Sequence, residues 1–143
     1  MTVLSILAAK GGDVITIEPA ATLATAAALL TKHRIGAVVV LGAGGRIAGI
    51  LSERDIVHAL AARGGEALDE PLSQSMTRDV ATCAPEDEIE SIMEMMTNGK
   101  FRHVPVLEHG ALAGIISIGD VVKQRVGEME QESEAMRDYI RTA

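Results

Sequence analysis

The chain says nearly the same thing twice, and that duplication limits its fold more than any other feature. The segment from Asp13 aligns with the segment from Asp79 at a constant offset of 66 residues. Asp13-Val14 recurs as Asp79-Val80, Thr16 as Thr82, Pro19 as Pro85, and Thr31 as Thr97. Val38, Val40 and Leu41 recur as Val104, Val106 and Leu107. The first copy holds one extra residue after Gly44. Beyond it, Ala48-Gly49-Ile50, Ser52 and Asp55 return as Ala113-Gly114-Ile115, Ser117 and Asp120. A one-residue indel in a Gly-rich turn falls where a surface loop absorbs it. Such self-similarity marks one supersecondary unit written twice.

The periodicity changes in the same order within each copy. Val14 to Ile17 is a β-branched run stopped by Pro19. Thr22 to Thr31 carries Leu23, Ala26, Ala27 and Leu30 at helical spacing. Ala37 to Leu41 is continuously apolar, as a strand buried on both faces should be. Gly42 to Gly45 signals a turn, and Ile47 to Leu51 reads as the next strand. Ser52 then opens a helix to about Ala61, a plausible N-cap with Glu53 and Asp55 in the first turn. The second copy gives Val80–Cys83, Glu88–Asn98, His103–Leu107, Leu112–Ile116 and a helix from Ser117. The expected fold is therefore α/β, with two tandem β-α-β-β-α units over 2–61 and 71–126. A Gly-rich charged linker spans 62–70, and short helices over Val3–Ala9 and Leu72–Met76 precede the two copies.

The last helix, 117–142, outlasts its counterpart. Val122, Val126, Met129, Ser133, Met136 and Ile140 form an a/d heptad seam with one polar member. Glu128, Glu130, Glu132, Glu134 and Arg137 charge its other faces, and no later element remains to cover the seam. A helix packed on its own domain is the plainer reading. The uncovered seam favours a homodimer built through 127–143.

Composition excludes several functions. Phe101 and Tyr139 are the only aromatic residues of 143, and the net charge is −7. Binding of single-stranded nucleic acid needs aromatic platforms in a basic groove, so it is not expected, nor is phosphate-backbone binding. Cys83 is the sole cysteine, which excludes an internal disulfide and any multi-Cys zinc site. No apolar run approaches the roughly 20 residues of a membrane span. The N-terminus lacks the basic stretch and cleavage site of a signal peptide, so the expected location is the cytoplasm.

One motif closes both copies: Gly49-Ile50-Leu51-Ser52-Glu53-Arg54-Asp55 and Gly114-Ile115-Ile116-Ser117-Ile118-Gly119-Asp120. Each delivers a strand to a helix N-terminus, where backbone N–H groups favour an anion. The serine hydroxyl can bond a phosphate or ribose oxygen, and the aspartate one turn on can accept from a ribose diol. A single copy reads more readily as a capping box variant. Its recurrence at the same place in two units favours a ligand.

The duplicated unit, with its two Gly-x-x-Ser-x-x-Asp endings, resembles the cystathionine β-synthase (CBS) domain pair, or Bateman module, over residues 2–125. The phrases Ser52-Glu53-Arg54-Asp55-Ile56-Val57 and Phe101-Arg102-His103-Val104-Pro105-Val106 look like those of small stand-alone bacterial CBS-pair proteins. The resemblance implies two units about a pseudo-twofold axis and two clefts. These take adenosine compounds such as AMP, ADP, ATP, S-adenosylmethionine or NAD(H). It places Ser52 and Ser117 at ribose or phosphate, and Asp55 and Asp120 on the ribose hydroxyls. Thr16 and Thr82 would meet the adenine, with Ala37, Val38 and Val104 lining the base pocket. Arg34, Lys100, Arg102 and His103, and Arg54 beside Asp55, are the candidate phosphate contacts. For helix-end residues such as Arg34 and Lys100, a solvated charge complementing the dipole is the alternative.

Catalysis finds little support. Ser52, Asp55 and His58 lie three apart on one helix and cannot easily form a relay. Cys83 follows a strand and reads as a structural thiol. The four histidines are scattered, the Met93, Met95 and Met96 cluster reads as core, and no Walker-type loop is present. The expectation is a non-catalytic sensor of adenosine nucleotides whose ligand shifts the orientation of the units. It would answer to a separate enzyme or transporter. The alternative is a dimeric interaction module with empty clefts.

Overall fold

Three of the helices begin where a polar side chain replaces a missing backbone partner. The Thr22 hydroxyl accepts the Thr25 N–H at 3.2 Å and starts α2 (Leu23–His33). Ser52 does the same for α3 (Glu53–Arg63), accepting from the Asp55 N–H at 3.3 Å, while Asp55 accepts from the Ser52 N–H at 2.9 Å. Ser117 and Asp120 repeat this reciprocal box at the start of α5 (Ile118–Thr142), at 3.1 and 2.9 Å. The computed structural model describes residues 1–142. The remaining elements are α1 (Val3–Lys10), β1 (Thr16–Ile17), β2 (Ala37–Leu41), β3 (Ile47–Ser52), α4 (Ile89–Gly99), β4 (His103–Glu108) and β5 (Ala111–Ser117).

The two halves build related sheets, three-stranded in the first and two-stranded in the second. In the first, β1 runs parallel to β2, and β2 pairs antiparallel with β3, placing Ala37 opposite Ser52 and Val38 opposite Leu51. In the second, β4 pairs antiparallel with β5, His103 opposite Ser117 and Val104 opposite Ile116. Both carry a register shift at the same point, between Val40 and Leu41 and between Val106 and Leu107. The continuous apolar run of β2 is buried on both faces as its composition demands, Val38, Val39 and Val40 being at most 1% exposed. This is the tandem-unit α/β architecture with a long C-terminal helix that the repeat implies.

Two strands are shorter than the sequence implies. Of Val14–Ile17 only Thr16 and Ile17 pair, and of Val80–Cys83 only Cys83 does. The Cys83 N–H donates to Pro105 O at 3.0 Å, and Cys83 O accepts from Leu107 N–H at 2.8 Å. Val80 and Ala81 instead line the space between the halves. The expected helix over Leu72–Met76 is a single 3-10 turn, Leu72–Gln74. Its two serines compete for backbone partners, and so short a segment does not repay helix nucleation. Residues 64–69 are not free chain either: they form a 3-10 turn whose Ala67 is fully buried.

There are two hydrophobic cores, and each borrows from the other half of the chain. Leu23, Leu30, Val40 and Leu51 pack with Leu72 and Met76, which precede the second copy. Ile92, Val104, Val106 and Ile116 pack with Val3 and Ile6, which precede the first. Backbone bonds fix both exchanges, Val3 N–H to Asp87 O at 2.9 Å and Leu72 N–H to Ala21 O at 2.7 Å.

Beyond Val121, no apolar residue of α5 is buried among the described residues. Val122, Val126, Met129, Met136 and Ile140 are 48–68% exposed.

Candidate functional site

Between the halves lies a cavity of about 510 Å³. One wall is the β3–α3 junction, with Ile50, Ser52, Glu53, Arg54 and Asp55. The facing wall is the α4–β4 junction, Gly99 to His103, and Thr77 and Asp79–Ala81 complete it. The Asp55 carboxylate is aimed by its own cap, since Oδ2 accepts from both the Ser52 N–H and the Ser52 hydroxyl, the latter at 3.1 Å. Lys100 ends α4 in the left-handed region at φ 57°, and Arg34 ends α2 in the same way at φ 53°. In both, a basic side chain stands where glycine is usual.

His103 enters the cavity because Gly36 makes room for it. A Cβ on Gly36 would lie 3.3 Å from His103 Cε1, tighter than ordinary contact. Burial lowers the His103 pKa below its ordinary value, while the Asp120 and Glu53 carboxylates pull it up and Lys10 and Arg102 push it down. His103 thus sits in the charge environment of both halves.

Seven of the residues singled out in the sequence meet in this cavity: Ala37, Ser52, Arg54, Asp55, Lys100, Arg102 and His103. Ser117 and Asp120 stand at the corresponding junction of the other half. There the Lys10 ammonium lies 2.7 Å from Asp120 Oδ2. Burial raises the Asp120 pKa, but the Lys10 bond and the Ser117 N–H outweigh it and hold the carboxyl below its usual value. Val38 and Val104 are core residues, at most 1% exposed, and do not line the cavity. Thr16 and Arg34 are exposed outside it. Thr82 lines a second cavity of about 440 Å³ with Arg46, Arg78 and Leu112. Sequence reasoning missed Gly36, Thr77, Asp79 and Phe101. Asp79 was visible as a repeated residue, since it matches Asp13, while Gly36 and Thr77 reach the cavity only through tertiary placement.

Chemically, the cavity brings the acceptors Ser52 and Asp55 together with the cations Arg54, Lys100 and Arg102, and Ile50, Val80 and Ala81 add apolar lining. That suits a ligand with hydroxyls, an anionic group and a flat apolar body. No cluster of three or more His, Cys, Asp or Glu able to hold a metal occurs among the described residues. Cys83 is buried, and burial, then the Asp87 carboxylate, push its pKa up to about 12, which disfavours the thiolate that a nucleophile needs.

Comparison with known proteins decides the family. The CBS domain model matches residues 10–62 and again 72–127. The chain belongs to the CBS-domain family. A CBS-domain containing protein from Agrobacterium tumefaciens is 49% identical, with a TM-score of 0.85 over 87% of this chain and 92% of that one. A CBS domain protein from Pyrobaculum aerophilum, solved in complex with AMP, is 28% identical with a TM-score of 0.75, covering 84% of this chain and 89% of that one. An uncharacterised 17.7 kDa protein from Acidianus ambivalens is 36% identical over 77% of this chain, which spans 66% of that relative's length. The duplicated β-α-β-β-α unit is thus a CBS unit, and the cavity lies between the two CBS units. No helix among the described residues is long and apolar enough to cross a membrane.

Proposed function

We propose that the chain is a non-catalytic regulatory module that binds an adenosine nucleotide, AMP, ADP, ATP or NAD(H), in the cleft between its CBS units. The observation that carries this reading is the cavity itself, where the capped Asp55 and Ser52 of one unit face Lys100, Arg102 and His103 of the other. Asp55 accepts the ribose hydroxyls, the adenine lies among Ile50, Val80 and Ala81, and the cations of the facing wall hold phosphate. The AMP bound by the Pyrobaculum aerophilum relative supports the ligand class. Because both units contribute walls, a ligand that fits one relative orientation better than another shifts the population toward it. The exposed stripe of α5 supports a homodimer, which would present the paired modules to a separate enzyme or transporter in the cytoplasm. Ser117 and Asp120 form the equivalent junction of the second cleft, and Arg34 stands at the helix end that matches Lys100.

Calorimetric melting tests the reading, since a ligand bound only by the folded state stabilises it. AMP at a hundredfold excess over its Kd should add about 2.7 kcal/mol. Asp55→Ala should remove that gain and itself cost about 1 kcal/mol, because the side chain also completes the α3 cap. If AMP, ADP, ATP and NADH at millimolar concentration all leave the wild-type transition in place, the interaction module takes over as the function.

A further inference from the structure

The repeat lets the two halves be compared position by position, and at one position they differ in charge. Lys10 ends α1, and the residue at the matching place ahead of the second copy is Met76. Both segments are seated tightly on the β-sheet of the unit they serve. A Cβ on Gly49 would come 2.8 Å from Met76 Sδ, and one on Gly114 would come 2.5 Å from Leu7 Cδ2. With α1 seated in this way, the Lys10 ammonium donates to Asp120 Oδ2 at 2.7 Å and to Ile115 O at 3.0 Å. Asp55, by contrast, bonds to its own capping Ser52, and no cation pairs with it among the described residues.

We propose that Lys10 makes the two clefts unequal. Its ammonium occupies the place at Asp120 that a ribose diol would take. The Ser52–Asp55 cleft is then the tighter nucleotide site of the chain, and a nucleoside reaches Asp120 only when Lys10 is withdrawn. This inference rests on the nucleotide reading above. A neutral diol offers Asp120 ordinary hydrogen bonds, whereas the bond to Lys10 is charge-assisted and roughly twice as strong. Withdrawal asks little of the fold, since the Lys10 side chain is 35% exposed and Gly11 beyond it stands in open space at φ 91°. Met76 has no such group to offer, so the first cleft carries no equivalent latch.

Titration calorimetry with AMP on the full chain tests this by the affinities of the two sites. Wild type should bind one AMP per chain tightly and a second more weakly, and Lys10→Met should tighten the second up to about fivefold. Asp55→Ala should remove the tight site while Lys10→Met still strengthens the other. Lys10→Gln, which keeps the stem and removes the charge, repeats the measurement should Lys10→Met fail to fold. Two equal sites in wild type, or a second site no tighter in the Lys10 variants, would overturn the inference and leave the nucleotide reading standing. No AMP bound by wild type or by the Lys10 variants would overturn both.

Discussion

At the scale of the residue, the same atoms serve the fold and the site. Asp55 and Asp120 each close a capping box, and the geometry that satisfies the helix N-terminus also fixes where the carboxylate points. The capping reading and the binding reading of Gly-x-x-Ser-x-x-Asp are therefore not rivals. The two aspartates differ in their surroundings, and acid should reveal it. Lys10 and Ser117 hold the Asp120 pKa below its ordinary value, so the pair contributes stability above the unfolded value of about 4 and loses it as pH falls through the folded value. A pair this exposed is worth up to about 1 kcal/mol, or roughly 3 °C in Tm. The Tm gap between wild type and Lys10→Met should accordingly be full at pH 6 and shrink at pH 3. An equal gap at both would show that Lys10 acts through packing rather than through Asp120.

At the scale of the element, what the sequence disclosed follows from which forces are local. Leu23, Ala26 and Leu30 announce α2, and the β-branched run of β2 announces a central strand, because periodicity and burial leave their mark on neighbouring residues. Ser52 and Asp55 were legible as site residues because the repeat writes their motif twice, and Lys100, Arg102 and His103 because they cluster ahead of a central strand, where the family resemblance implies phosphate contacts. The exchanged segments were not legible. Nothing in Val3 and Ile6 says which of two similar cores will take them, and the choice rests on backbone bonds to Pro85 and Asp87 far along the chain. Gly36 was silent for a related reason, as its role is to leave space for His103 from the other unit. The end of α5 is a different case, since its heptad seam was readable and finds no cover in its own chain. Met129→Lys with Met136→Lys places two cations in that seam and should halve the mass measured by light scattering. An unchanged mass would move the dimer interface off α5.

At the scale of the molecule, two half-size units become one body by trading short segments and by walling a cleft together. The chain carries a single Phe and a single Tyr, and that scarcity argues against stacking on nucleic acid. It leaves room for a nucleotide, whose base can lie between Ile50, Val80 and Ala81 while Asp55 and the facing cations read the rest. Phe101 in the cavity lining puts one of the chain's two aromatics at the site. The central claim is that this cleft is where an adenosine nucleotide binds. Its most direct test is a titration of the isotope-labelled chain with AMP, followed through the backbone amide resonances. The account predicts saturable shifts concentrated at Ser52–Asp55, Asp79–Ala81 and Lys100–His103. Amides at these three segments that stay unmoved through millimolar AMP, while others shift or none do, would contradict it.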